Sequence, residues 1–202
     1  MNISLWRLRA LAWLAALLLM APGQALAAPQ ESPDVSWSGF LSQPSKHTPA
    51  WIAYTLLESR KQSLGLRAPR RDMVVSEISS TDMGRTFVYM QRQLFRTPVW
   101  GDRLIVEIDG DGVVRQVVGT IHPGLEKKLF HRPLHAAVTA RKAAGIAREW
   151  LRTVRPSSTA GDAHPYYLPD PSGVRLVYAV DIVGEGYVLV HAMTGRIIQS
   201  NI

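Results

Sequence analysis

Cysteine is absent from all 202 residues, so no disulfide staples the chain and no thiol is available as nucleophile or metal ligand. There is no His-Glu-x-x-His run, which excludes the zinc helix that places two imidazoles and a glutamate base on one face. A Gly-x-Ser-x-Gly elbow and a glycine-rich phosphate cradle are lacking too, so nucleophilic and phosphoryl chemistry have no visible home. Apolar runs are short. The longest, residues 10–21, falls below the roughly 20 residues a membrane-spanning helix needs. Negative charge is scarce: 16 acidic side chains stand against 23 basic ones, for a net +7.

The short apolar run has a different use. Arg7 and Arg9 precede it and Ala25-Leu26-Ala27 follows, the layout of a cleaved signal peptide over residues 1–27. The expected localisation is therefore extracellular or in the cell envelope, with no stable membrane span after cleavage. Loss of Arg7 and Arg9 leaves a net +5. The basic residues are scattered apart from Arg67-Ala68-Pro69-Arg70-Arg71, read as solvated charge in a proline-bearing connection. No basic stripe with stacking aromatics is present, and export removes the usual nucleic acids, so a nucleic-acid partner is not expected.

Residues 28–47, rich in Pro and Ser and without periodicity, predict a flexible leader. Thr48-Pro49 then caps a helix whose apolar positions are Ile52, Ala53, Leu56 and Leu57, with Gly65 as the left-handed residue that closes it. Strands are expected at 73–78, 86–94, 104–108 and 113–118, the last two joined by the Asp109-Gly110-Asp111-Gly112 turn. Leu104, Val106 and Ile108 point to the core in this reading and Glu107 to solvent. A connector follows over 120–133. Thr139 caps a second helix with Ala143, Ile146, Ala147, Trp150 and Leu151 on one face, and Val138 is placed to staple onto Ala143. Residues 156–170 read as loop, and 174–182, 187–192 and 196–199 as strands. The fold class is α+β: two small modules, each a helix packed on an antiparallel sheet.

Two stretches carry weak chemical signals. His131 and His135 have i, i+4 spacing, but Pro133 lies between them and bars a continuous helix, so solvent-exposed histidines are expected rather than a metal site. The Asp-Gly-Asp-Gly run has valines at 113, 114 and 117 where a calcium loop needs acidic ligands, so it reads as a hairpin turn. No cofactor is expected. Trp100 follows Pro98-Val99 at a strand edge, as core or as an interface anchor. His191 sits on a strand near a turn.

The order of these elements resembles the proregion of secreted thermolysin-like metalloproteases. Ser63-Leu64-Gly65-Leu66, then Gly84, Val88, Gln91 and Pro98-Val99-Trp100-Gly101, and the hairpin Leu104–Asp109 with Gly112 and Val114 resemble the fungalysin/thermolysin propeptide (FTP) domain, here over residues 48–119. The helix from Thr139, Leu176-Val177-Tyr178 and Val190-His191-Ala192-Met193-Thr194-Gly195 resemble a PepSY domain over 134–202. The chain departs from the family pattern at Phe87, Tyr89 and Arg92, where His, Arg and a second Gln are usual. Arg96 replaces a usual glycine and His191 a usual Asp. The resemblance implies a non-catalytic, proregion-like protein that binds a secreted metalloprotease in trans, as inhibitor or folding chaperone. It implies partner-binding residues at Gln91, Pro98, Val99, Trp100, Gly101 and His191. The alternative is a cell-envelope PepSY-type binding or regulatory module tied to no protease.

Overall fold

The computed structural model describes residues 34–171 and 173–201. The leader sequence 1–27 and the first residues of the 28–47 segment lie outside them. Among the described residues, nine strands and four helices alternate as an α+β fold. None of these helices is long and apolar enough to cross a membrane.

Helix α1 (Pro49–Ser59) starts where the cap predicts: Thr48 Oγ1 accepts from the Trp51 amide and Pro49 takes the first turn. It ends earlier than expected, at Ser59. Gly65 (φ 61) closes a separate tight turn that follows, with the Leu66 amide donating to Lys61 O and the Gly65 amide to Gln62 O. A side chain there would press its Cβ to 2.8 Å from Pro123 Cβ, so this end demands glycine twice over. The short α2 (Pro69–Asp72) is tied by the buried Asp72 carboxylate, which accepts from the Arg67 and Ala68 amides at 2.9 Å each.

Strands β2 (Met73–Ser80), β3 (Thr86–Leu94), β4 (Thr97–Ile108) and β5 (Val114–Thr120) form an antiparallel meander. Strand β1 (Asp34–Ser38) adds to its edge against β5. Residues 34–47 are therefore not the flexible leader that composition suggested. Asp34–Ser38 alternates, with Val35 and Trp37 packed on the first core, and Ser42 Oγ accepts from the Val114 amide. The second half holds α3 (Leu125–Lys128), α4 (Ala140–Val154) and strands β6 (Ala160–Asp170), β7 (Gly173–Ile182), β8 (Gly186–His191) and β9 (Ile197–Asn201). Residues 156–170 are likewise not a loop, because most of them form β6. Pro165 and Pro169 disguise the strand; they are tolerated because β6 has a full ladder on only one side, with β7. Within the expected connector, Ile121, Leu125 and Leu129 are buried anchors.

The two halves share one sheet. Its order is β1-β5-β4-β6-β7-β8-β9, with β3 and β2 continuing from β4, and the join is a single parallel bridge between Val99 and Tyr167. Both main helices lie on the same face. Val88 and Met90 of β3 enter a first core with Ile52, Leu56 and Leu57 of α1, while Leu94 of the same strand enters a second core with Ala143, Ala147 and Leu151 of α4. Leu176, Tyr178, Val180 and Ile182 face that second core together, as their alternation predicts. On the opposite face, Val177, Ala179 and Leu189 form a third, smaller cluster.

Two turns are strained. Phe95 (φ 50) and Arg96 (φ 68) make the two-residue tip between β3 and β4, and Phe130 (φ 50) and His131 (φ 55) end α3. Phe130 holds the position that Gly65 holds in the other turn: its amide donates to Lys127 O and the His131 amide to Glu126 O. Left-handed backbone costs a side-chain-bearing residue roughly 1–2 kcal/mol.

Candidate functional site

The sequence-predicted residues other than His191 lie at a bulge in β4. Pairing between β3 and β4 runs as far as Gln91 with Arg103, then resumes as Gln93 with Pro98, leaving extra residues on β4. Gly101 (φ 81) supplies the left-handed backbone this requires. Gln91 clamps it: its side-chain amide donates to Val99 O and Asp102 O at 2.8 Å each and to Arg92 O at 3.1 Å. The bulge reverses the strand's parity, so Val99 and Asp102 both point to the helix-covered face while Trp100 points to the open one.

On the covered face lies a charged cluster that the sequence reading missed. Arg92 is 2% exposed and Asp102 wholly buried, and they pair at 3.1 Å. Asp102 Oδ2 also accepts from the His122 amide at 3.1 Å, and Oδ1 meets His122 Nδ1 at 2.5 Å. Arg92 Nη1 donates further to His122 O, whereas its Nε has no partner among the described residues. Along β3 the cluster falls between Met90 of the first core and Leu94 of the second. Burying such charges costs several kcal/mol per ion, which their mutual attraction and hydrogen bonds must offset, so register is the better-supported role. The available signal was the inward series Val88, Met90, Arg92, Leu94: a cation in an apolar row needs a buried partner.

On the open face Trp100 is half-buried between two tyrosines. Its ring lies 5.0 Å from Tyr166 at 89° and 4.6 Å from Tyr187 at 65°, both edge-to-face. Tyr166 lies in the stretch read as loop, so this trio was not legible beforehand. Pro98 is half-buried beside it and the Gly101 backbone is exposed. Val99 is wholly buried, so its side chain cannot itself touch a partner. His191 is not brought into the group: it ends β8, and its Nδ1 bonds Thr194 Oγ1 at 2.8 Å. A groove of about 560 Å³ between residues 41–47 and α1 lies apart and is lined by none of the predicted residues.

The weaker chemical signals are placed as well. His131 and His135 are exposed, and His131 Nδ1 stands 3.6 Å from Glu126. Asp109 caps its own turn by accepting from the Asp111 and Val113 amides, and it pairs with Arg115 at 2.6 Å. The Val113 amide, with Arg115, holds this carboxyl below the usual carboxylate range. Among the described residues no group of three or more His, Asp or Glu is arranged to hold a metal ion. Burial pushes the Tyr167 hydroxyl up, partly opposed by the Leu134 amide that donates to it.

With this geometry in place, the likeness to known proteins can be located on it. The family model described as Fungalysin/Thermolysin Propeptide Motif matches residues 72–121, from the Asp72 cap through β2–β5. That span contains Gln91, Arg92, the bulge and Asp102, and it stops one residue short of His122. Among solved structures, the chain is similar to the Bacillus megaterium YpeB C-terminal domain, at 11% identity and a TM-score of 0.39, over 80% of this chain and 67% of that one.

Proposed function

We propose that this protein is a non-catalytic, proregion-like binding module that engages a secreted thermolysin-like metalloprotease in trans, as inhibitor or folding chaperone. The observation that carries this is the match of residues 72–121 to the propeptide motif, a segment that comprises most of the first half of the sheet. A PepSY-like module over 134–202 completes the reading. A proregion that binds the native form of a protease and not its unfolded chain stabilises it by mass action.

The contact surface in this proposal is the open face around Trp100. Tyr166 and Tyr187 hold the indole rigid, so little side-chain entropy is lost when a partner covers it. Pro98 and Gly101 flank it; Gln91 and Val99 act from beneath by fixing the bulge, and His191 borders the same sheet at the end of β8. Edge strand β2 offers backbone groups for strand addition in a substrate cleft, with Val74 and Ile78 exposed along it.

The test is titration of the protein against thermolysin-like proteases, following peptide cleavage and the yield of refolded protease. Inhibition or improved refolding is expected, and Trp100→Ala should weaken it about thirtyfold, the effect of removing an aromatic anchor. No change in either readout at tens of micromolar would overturn the proposal. Reproducible capture of one envelope protein that is not a protease would favour an untied PepSY-type module instead.

A further inference from the structure

The two strained turns flank one carboxylate, Glu126. Phe95 and Arg96 line a cavity of about 310 Å³ together with Arg71 and Glu126. Glu126 also pairs with Arg67 at 3.1 Å and Arg71 at 3.7 Å, and stands 3.6 Å from His131 of the second turn. Each tip is a phenylalanine followed by a basic side chain in left-handed backbone, where Gly or Asn would be relaxed. Neither ring is sheltered: Phe130 is 79% exposed and Phe95 38%.

The surrounding charge is one-sided. Arg67, Arg70 and Arg71 come from α2 and its approach, and Arg96 from the first tip. Lys127, Lys128 and Arg132 come from α3 and the residues after it. Only Asp72 and Glu126 oppose these seven cations. Elsewhere beyond residue 27 fourteen basic side chains stand against fourteen acidic ones, so the positive excess of residues 28–202 falls on the segments around Glu126. Arg96, Lys127, Lys128 and Arg132 make no ion pair with another described residue.

We infer that this surface is a peripheral contact for an anionic phospholipid bilayer. Phenylalanine tips seat at the headgroup boundary while arginine and lysine meet the lipid phosphates, the combination an interfacial contact uses. In the central cavity Arg71 and Arg96 are matched by Asp72 and Glu126, so it carries no net positive charge to seat a single anion. The attraction is therefore spread over the rim, as a charged membrane surface requires and a pocket-seeking acidic peptide does not.

The experiment is co-sedimentation of the mature protein with vesicles of phosphatidylcholine alone and of phosphatidylcholine mixed with phosphatidylglycerol. Binding is expected to the mixed vesicles only, weakening as salt rises. Arg96→Gly with Lys127→Gln and Lys128→Gln should lower it about a hundredfold, each basic side chain near an anionic surface accounting for roughly fivefold. Phe95→Asn with Phe130→Asn should also lower it while raising the melting temperature, because Asn tolerates the left-handed backbone; this separates lost contact from lost fold. Equal binding to both vesicle types, no binding, or no response to either set of variants would overturn the inference. So would retention on polyglutamate with no vesicle binding, which would mark a dock for an acidic protein. These residues lie outside the Trp100 face, so protease titration of the same variants should be unchanged and the two readings can fail separately.

Discussion

The two halves of the sheet seat their helices by opposite means. Helix α1 is apolar on most sides and drives large aliphatic side chains, Ile52, Leu56 and Leu57, into the first core. Helix α4 is charged around most of its surface, with Arg141, Lys142, Arg148 and Glu149 outside, and buries two alanines, Ala143 and Ala147, with Leu151 against a sheet that supplies Tyr167, Leu176 and Tyr178, while Ile146 and Trp150 pack half-buried at the margin. In one half the buried helix face is mostly large and aliphatic; in the other two of its three buried side chains are alanines, set against larger side chains of the sheet. Core volume is thus a property of the facing pair, and a strongly amphipathic sequence does not by itself mark the better-filled core.

The comparison breaks first at the boundary. Asp102→Ala strands the buried Arg92 between the two cores and should cost about 3–5 kcal/mol in urea unfolding. Both halves should then melt in one transition, because β3 and β4 serve both. Replacing the pair together, Arg92→Leu with Asp102→Leu, should recover much of the loss; a cost below about 1 kcal/mol for Asp102→Ala would mean that the cores are held by packing alone.

Opposite changes of volume should sharpen the contrast. Leu57→Ala empties the helix side of the first core and should cost about 2–5 kcal/mol. Ala147→Leu pushes α4 off its sheet and should cost about 1–3 kcal/mol by overpacking. Amide exchange mapped to each helix would show whether α4 loosens first in that variant, as expected.

The smallest effects are of opposite sign in pH. Asp109, in the β4–β5 turn of the first half, has its carboxyl held low, so its contribution is present above the ordinary carboxylate value of about 4 and is lost as pH falls through the lowered value. Tyr167, in the second core, has its hydroxyl pushed up. Its contribution is full below about pH 10 and is lost as pH rises through the raised value. Backbone NMR across pH should show acid perturbing the Asp109 turn and alkali perturbing α4 and β7; Asp109→Asn and Tyr167→Phe should each abolish only their own response.

Much of the architecture was legible because its signals are local. Thr48 and Thr139 cap helices from one residue away, the Asp109–Gly112 turn declares its hairpin, and period-two rows mark β3, β5 and β7. What was missed depends on distant partners or broken periods. Prolines hid β6, a Pro- and Ser-rich neighbourhood hid the five residues of β1, and the Gly101 bulge interrupted the alternation that would have extended β4 back to Thr97. At the site, Trp100 stood out as a large aromatic, but Tyr166 and Tyr187 reach it only through tertiary pairing. The Arg92–Asp102–His122 cluster joins three segments and no local rule links them.

The single bridge from Val99 to Tyr167 sets an order of events as the chain emerges from the ribosome. Everything that β1–β5 need among themselves is available before β6 exists. The first core can therefore close early, yet Leu94 and Val99 must wait for Tyr167 and α4 to cover them. During that interval the nascent protein carries a sticky end of its own making, a window in which a chaperone or a second nascent chain would find it before the rest of its own sequence does.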